Sequence, residues 1–435
     1  MKHIKLLPIA LLLLISCSSQ MEDSIKLDKN SQSFIQSNIR SITEATNICN
    51  QLIDSKKTNT RSSQIINVQN VYTILNTTTR AGHTDTIMYA VDFGNNSGFA
   101  LIAADKRIEP ILAIIDEGAF NDMQNENNES YQLILANAKS YASSVMESIT
   151  PDTPKNWYEY SDTIYVDQKI APRITVKWNQ GWPENIYCPN QVAGCGPVAA
   201  AQILSYLQKP TTITYSFPEK DINSETLNWP DLTLHKKSDN FYSPSSDYIS
   251  SHYNSCKTDE NGHKTIARII REIGHRANAS YDYTTGVIYS DIINTLTNIS
   301  GQEVESTNFS MRRLYDDLKN IRKSVAFVSG IGEFSSGELC GGHAWVADGT
   351  LEIGVIINYW SYSDFDNTVL ECTTEDTTKK YVHFNWGIGG NCNGYFLIDV
   401  LNPNEAFSYD DLSISNSANN ASYSYNFKYC ILTKE

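Results

Sequence analysis

Residues 193–202 read AGCGPVAAAQ, which places a cysteine between two glycines directly before an apolar run. Pro197 suits the first turn of a helix, because the N–H that proline lacks would have no intrahelical partner there. The stretch therefore predicts a helix over 195–207 with Cys195 at its N-terminus. The positive end of a helix dipole lowers the pKa of a thiol, and the thiolate is the nucleophilic form. A buried structural cysteine is the alternative interpretation.

A nucleophilic thiol needs a base, and histidine is the usual one. Of the eight histidines, His343 directly follows Gly341 and Gly342 and begins a predicted strand, which leaves room for a substrate beside it. It also lies well after Cys195 in the chain, as the histidine does in many Cys–His enzymes. His343 is the candidate base, and His383 is its competitor.

A third group should orient the base. Residues 381–387 read YVHFNWG and predict a strand whose alternation puts Asn385 on the face opposite Trp386. Asn385 can accept a hydrogen bond from His343 and fix its tautomer, while Trp386 can shield that bond from water.

The first residues indicate export. Lys2 and Lys5 precede an apolar run over 6–15. This run is too short to cross a bilayer, which takes about 20 residues, and is typical of a signal peptide. Residues 14–17, LISC, resemble a bacterial lipobox with Cys17 as the lipidated residue, and Ser18 resembles the residue that follows in lipoproteins sent to an outer membrane. We expect secretion across the inner membrane and a lipid anchor on Cys17 in the outer membrane, with display at the cell surface left open.

The remaining sequence divides by pattern. A signal peptide (1–16) and a polar tether (17–62) precede a small α+β domain (63–150), with a hairpin predicted over 86–103 and a helix over 129–149. A linker with little periodicity (151–173) leads to a domain (174–435) with helices first and antiparallel strands afterwards, which predicts an α+β fold.

Charge and cysteine spacing exclude some functions. The formal net charge of −15 comes without a basic stripe, which argues against a nucleic-acid partner. Nine cysteines are present, but no CxxC pair, HExxH motif or close Cys/His cluster occurs, so we expect no metal and no cofactor. Disulfide pairing cannot be deduced from spacing.

Several blocks together resemble the streptopain family of papain-like cysteine peptidases. They are WNQGWP (178–183), AGCGPVAAAQIL (193–204), TIARIIREIGHRAN (265–278), CGGHAWVADG (340–349) and YVHFNWGIGG (381–390), followed by YFLIDVLNP (395–403). Residues 99–105, FALIAAD, also resemble the propeptide of that family. The resemblance implies a papain-like domain of two subdomains, a helical part and an antiparallel sheet, preceded by a small α+β propeptide domain.

The resemblance also implies roles for individual residues. Cys195 matches the family nucleophile, His343 the general base, and Asn385 with Trp386 the pair that orients and covers the histidine. Gln180 matches the residue that completes the oxyanion hole with the Cys195 N–H. The implied activity is peptide-bond hydrolysis by a secreted endopeptidase made as a zymogen, with proteins or peptides as substrates and its own propeptide as an intramolecular inhibitor. Ile388 departs from the family at a position where an aromatic residue is common, so the substrate preference stays open.

Two other functions are compatible with the same residues. A transglutaminase or acyltransferase uses similar Cys–His chemistry but passes the acyl group to an amine. A non-catalytic surface binding lipoprotein would be expected to have lost Cys195, His343 or Asn385, and all three are present.

Overall fold

The computed structural model describes residues 39–57, 67–76, 85–121, 129–148, 157–234, 262–282, 284–334, 339–362, 369–400 and 421–435. The predicted signal peptide and Cys17 lie outside these residues.

Helices occur in both halves of the described chain. They are α1 (Ile42–Lys57), α2 (Glu129–Ser148), α3 (Cys195–Leu207), α4 (Trp229–Leu232), α5 (His263–Arg276), α6 (Tyr289–Ser300) and α7 (Met311–Asn320).

The strands form an N-terminal set, a middle group of four short strands and a C-terminal set. The first set is β1 (Val68–Asn76), β2 (Asp85–Phe93), β3 (Phe99–Ala103), β4 (Ile111–Ile115) and β5 (Trp157–Ile170). Four short strands follow, β6 (Thr212–Thr214), β7 (Ser224–Thr226), β8 (Ser280–Tyr281) and β9 (Thr285–Gly286). The last set is β10 (Ser306–Asn308), β11 (Ser324–Phe334), β12 (Leu339–Tyr362), β13 (Val369–Asn385), β14 (Gly394–Leu397) and β15 (Ala421–Thr433).

One sheet of 11 strands runs through both halves of the described chain, in the order β1-β2-β3-β4-β14-β13-β12-β11-β15-β10, with β5 also paired to β12. The two halves join where β4 pairs antiparallel with β14, with Ile115 opposite Gly394. Strand β12 is long enough to pair with β11 along its first part and with β5 along its second part, while β13 pairs with its other edge from Val346 to Tyr362.

The N-terminal half begins earlier than its sequence suggests. Helix α1 lies within the predicted polar tether, yet Ile48 and Leu52 are buried in the core that the N-terminal strands share. Ser41 and Glu44 cap its start, since the Glu44 carboxylate accepts from the Ser41 N–H at 2.6 Å and the Ser41 hydroxyl accepts from the Glu44 N–H at 3.2 Å. The sequence over 31–53 is compatible with a weak helix, but the polar residues on the exposed face of α1 give the segment the overall composition of a tether.

The predicted hairpin and helix of this half are confirmed. Strands β2 and β3 pair antiparallel, with Asp92 opposite Phe99, and α2 occupies 129–148.

The expected linker differs from the structure. Residues 157–170 form β5, which pairs with β12 from Trp157 opposite Ser361 to Ile170 opposite Thr350. The partner strand lies almost two hundred residues later, so local periodicity could not indicate it.

The C-terminal half has the expected order of helices and antiparallel strands. Helix α3 is buried along nearly its whole length. The strand predicted to begin at His343 is part of the long strand β12. Its residues alternate between two cores: Ala344 and Val346 pack on the side of α3, whereas Trp345 packs on the other side. The α+β class is therefore confirmed.

Candidate active site

Cys195 is the first residue of α3 and is half-buried. Gly194 precedes it with a φ of 90°, a conformation that favours glycine. A Cβ added at Gly194 would lie 2.6 Å from Thr285 Cγ2, and one added at Gly196 would lie 2.5 Å from Val287 Cγ1. The two glycines thus allow residues 285–287 to pack closely on both sides of the cysteine, and the predicted position of Cys195 at a helix start is confirmed.

Gln180 lies beside the loop that leads to Cys195. Its carbonyl oxygen accepts a hydrogen bond from the Ala193 N–H at 2.8 Å, and its side chain is half-buried. The neighbouring Asn179 side chain accepts from the Gly181 N–H at 2.6 Å and fixes the turn. The structure therefore brings the segments of Gln180 and Cys195 together.

His343 is buried near the start of β12. Its Nε2 lies 3.1 Å from the carbonyl oxygen of Trp386. Because a carbonyl oxygen only accepts, Nε2 carries the proton and donates. The ring stacks against the indoles of Trp345 and Trp386, at centroid distances of 5.7 and 6.2 Å. Burial lowers the pKa of His343 to about 4, and the hydrogen bond to Trp386 only partly opposes that effect. The imidazole is therefore neutral at pH 7.

Asn385 and His343 are not hydrogen-bonded to each other in the described part of the chain. The Asn385 amide donates to the Val176 carbonyl at 3.0 Å, and its oxygen accepts from the Gly387 N–H at 3.2 Å. Asn385 lies on the face of β13 opposite Trp386, as the alternation predicts, but His343 lies on the Trp386 face. The structure thus brings Trp386 to His343 and directs the Asn385 side chain elsewhere.

The loop over 386–390 contacts both the helix that carries Cys195 and the side chain of His343. A Cβ added at Gly387 would lie 3.4 Å from Val198 Cγ1, on the first turn of α3. The Gly389 N–H donates to the Trp178 carbonyl at 3.3 Å, which fixes the loop against the segment of Gln180. This loop therefore contacts helix α3, the segment of Gln180 and, through the Trp386 carbonyl, His343.

His383, the competitor for the base, is engaged on both ring nitrogens. Nδ1 lies 2.6 Å from Asp348 Oδ1, and Nε2 lies 2.9 Å from Asp116 Oδ2. Burial alone would lower the pKa of His383, but the charges of Asp348 and Asp116 outweigh it and raise the pKa to about 9. A charged imidazolium held by two carboxylates is a structural ion pair, which disfavours His383 as the base.

Asp116 comes from the N-terminal half, so this ion pair also joins the two halves. Glu117 adds a second link, 2.7 Å from Lys177 Nζ. Neither acidic residue could be predicted from the sequence, because nothing in their local pattern indicates a partner far along the chain.

The described part of the chain contains no group of three or more His, Cys, Asp or Glu side chains arranged to hold a metal ion. None of its helices combines the length and the apolar character that crossing a bilayer requires.

Comparison with known proteins gives related results for both halves. A family model described as the Peptidase C10 family matches residues 177–396, and one described as the Spi protease inhibitor matches residues 35–142. Streptopain of Streptococcus pyogenes is 22% identical over 347 residues, which covers 71% of this chain and 73% of streptopain, and streptopain of serotype M1 matches to the same extent. A solved fragment of Prevotella intermedia prointerpain A, 17% identical, superposes with a TM-score of 0.48 over 81% of this chain and 97% of the fragment.

The Peptidase C10 match covers about half of the chain and includes both Cys195 and His343, and the inhibitor match precedes it. The chain therefore belongs to the Peptidase C10 family: it is a papain-like cysteine peptidase of the streptopain type, with an inhibitor-like propeptide domain ahead of its peptidase domain.

Proposed function

We propose that this chain is the latent precursor of a lipid-anchored endopeptidase that cleaves proteins through an acyl-enzyme on Cys195. The observation that carries the proposal is the position of Cys195 at the N-terminus of α3, with the main chain of Gln180 bonded to Ala193, two residues before the cysteine. A thiolate is favoured at that end of a helix.

The proposed reaction has two halves. The Cys195 thiolate attacks the scissile carbonyl carbon, and the resulting oxyanion accepts hydrogen bonds from the Gln180 amide and the Cys195 N–H. Loss of one such donor typically lowers the rate about 10²- to 10³-fold. His343, as an imidazolium, protonates the leaving amine, and the neutral ring then removes a proton from the water that hydrolyses the thioester.

The proposed latency follows from the surroundings of His343. At pH 7 its ring is neutral and donates to the Trp386 carbonyl, so it supplies neither a cation to stabilise a thiolate nor a proton for a leaving amine. We infer that the residues before about 172 act as a propeptide that favours this arrangement. The contacts of Asp116 with His383 and of Glu117 with Lys177 support that role, because they hold the N-terminal half next to β13 and the loop over 386–390, which we call the cleft loop.

Cleavage within 150–173, by the enzyme itself or by another protease, would release the inhibitor-like domain. Once it leaves, Asn385 and His343 can rearrange to form the pair expected from the family. A full-length precursor that hydrolyses casein as fast as the form of residues 174–435 would contradict this activation.

The proposed location rests on the sequence of the first residues. Cleavage before Cys17 and lipidation of its thiol would tether the precursor to the outer membrane after secretion. Cys17→Ser should remove incorporation of labelled palmitate and move the protein from the membrane fraction to the soluble fraction. Unchanged labelling of the variant would rule out Cys17 as the anchor.

The proposed nucleophile is tested in the processed enzyme. Cys195→Ala should reduce casein hydrolysis to background, and an epoxide thiol trap of the E-64 type should label Cys195 in the parent enzyme. Cys430→Ala is the matched control, since Cys430 is a buried thiol whose pKa burial raises to about 12 and which should be inert. Hydrolysis by the Cys195→Ala variant would overturn the proposal.

A further inference from the structure

Besides Cys195, helix α3 carries a buried polar side chain that takes no part in the proposed reaction. Gln202 is fully buried, and neither its Nε2 nor its Oε1 has a hydrogen-bond partner among the described residues. Burying an unpaired amide is unfavourable, and an apolar side chain of the same size would avoid the cost. The residue at 202 is therefore poorly matched to the conformation described here.

The Gln202 amide faces the main chain of the cleft loop. A Cβ added at Gly387 would lie 3.5 Å from Gln202 Nε2, and Gly387 directly follows the Trp386 carbonyl. That carbonyl at present accepts from His343 Nε2 at 3.1 Å. The Gly387 N–H is already bonded to the Asn385 side chain.

Moving His343 toward Cys195 changes this balance. In the proposed active arrangement the Nε2–H of His343 donates to Asn385 instead of the Trp386 carbonyl, and a buried carbonyl without a donor is costly. Gln202 presents an unused N–H donor to the same stretch of main chain. A short movement of the loop or of the side chain would bring the donor and the acceptor together.

We propose that Gln202 is a positioning residue of the active enzyme, whose Nε2 donates to the Trp386 carbonyl once His343 has left it. The new bond holds the 386–390 loop and removes the energetic reason for His343 to return to the carbonyl. Gln202 contacts no substrate and acts through His343. This inference rests on the proposed function, in which Cys195 and His343 form the reacting pair.

The inference separates the two states of the protein. In the precursor the Gln202 amide contributes no hydrogen bond, so an apolar replacement of similar size should be tolerated or stabilising. In the processed enzyme the same replacement should leave the Trp386 carbonyl without a donor and allow His343 to return to it. A purely structural glutamine would stabilise both states.

The test uses Gln202→Met, which keeps the length of the side chain and removes the amide. Precursor stability is measured as the thermal midpoint of the full chain in a Cys195→Ala background. Activity is measured after the full chain has been processed by an added protease, as kcat/KM on a peptide substrate. The pH dependence of Cys195 alkylation, which reports the thiolate–imidazolium pair, is measured on the same processed material. Ser205→Ala is the matched control, since Ser205 is a buried polar residue of α3 whose hydroxyl donates within the helix, to the Gln202 carbonyl.

For Gln202→Met we expect an unchanged or higher precursor midpoint and a loss of about 10- to 100-fold in kcat/KM, the scale of a misplaced catalytic group. The alkylation profile should move toward that of an ordinary thiol. Ser205→Ala should leave the kinetics and the alkylation profile as in the parent.

Two results would overturn the inference: a lower precursor midpoint or failure of the Gln202→Met precursor to fold, or kcat/KM and an alkylation profile within twofold of the parent. Failure of the proposed function would look different. In that case the processed Cys195→Ala enzyme would hydrolyse the peptide as fast as the processed parent enzyme does.

Discussion

At His343, burial and hydrogen bonding act on the pKa in opposite directions, and burial has the larger effect. The ring packs against both Trp345 and Trp386, with a carbonyl as its hydrogen-bond acceptor, an environment that suits a neutral imidazole. His383 shows the reverse: it is equally buried but flanked by Asp348 and Asp116, and it stays charged. Two histidines thus carry different charges at pH 7 for reasons that lie in their neighbours.

The stability of the precursor should consequently depend on pH through His343. With a pKa of about 4 when folded and about 6.5 when unfolded, His343 takes up a proton between these values only in the unfolded chain. The free energy of unfolding should therefore fall as the pH falls from about 6.5 to about 4, by about 3 kcal/mol from this residue. Denaturant midpoints of the Cys195→Ala precursor at pH 7.5 and 4 measure the change.

His343→Gln in the same background is the control, because it removes the titrating group and leaves every other histidine and carboxylate. Equal pH dependence in the two proteins would show that His343 is not held neutral. Its own ring signals in a proton NMR titration give the pKa directly.

Local sequence predicts the secondary structure around the candidate site residues better than it predicts their contacts. The glycines around Cys195 and the alternation of β13 indicate the helix start and the two faces correctly, because both depend on neighbouring residues. The bond from His343 to the Trp386 carbonyl depends on how the ends of β12 and β13 meet. The pairing of Asp116 with His383 joins residues far apart in sequence, so neither contact has a local signal.

Among the elements, the pairing of β4 with β14 decides how the inhibitor-like half attaches. Gly394 sits at this junction, opposite Ile115 on one side and Phe384 on the other. A Cβ added at Gly394 would lie 2.2 Å from the Ile114 carbonyl oxygen and 2.9 Å from Ile115 Cα. The close approach of the two strands therefore requires glycine at this position, and all three of the nearest atoms belong to β4.

Gly394→Ala should loosen the inhibitor-like half without harming the peptidase. The added methyl group collides with the β4 main chain, which cannot move aside as a flexible side chain could. In the processed enzyme β4 is gone, and the collision with it. We expect precursor processing to become several-fold faster and amide exchange in β4 and β14 to increase, with kcat/KM of the processed enzyme unchanged.

Gly286→Ala is the matched control, since a Cβ added there meets no atom within 4 Å. It should process at the parental rate. Parental amide exchange in β4 of the Gly394→Ala precursor would contradict the importance of this junction.

At the scale of the whole molecule, the N-terminal strands extend the sheet of the peptidase half. Antiparallel neighbours such as β2 and β3 can be predicted from an intervening turn, and this hairpin was. The joins β4–β14 and β5–β12 connect segments that lie far apart in the sequence, and nothing in the local pattern of these strands indicates their partners. Such pairings follow from which faces remain uncovered after the local elements form, so the sequence alone predicts the two halves and not their union.

The union limits where activation can cut the chain. Strand β5 pairs with β12 from Trp157 to Ile170, and the Ile164 N–H also donates to the Gln51 side chain of α1 at 2.7 Å. A protease acting within β5 would have to separate it from β12 first, at the cost of those main-chain hydrogen bonds. We expect the new N-terminus of the processed enzyme to lie within 151–156 or 171–173, on either side of β5. N-terminal sequencing of the active form gives the position directly, and the mass of the released fragment checks it.

The Cys195→Ala precursor cut by an added protease is the control for self-processing and should be cleaved in the same two intervals. An N-terminus between residues 158 and 170 would mean that β5 leaves the sheet before cleavage, and that the sheet described here opens as the first step of activation.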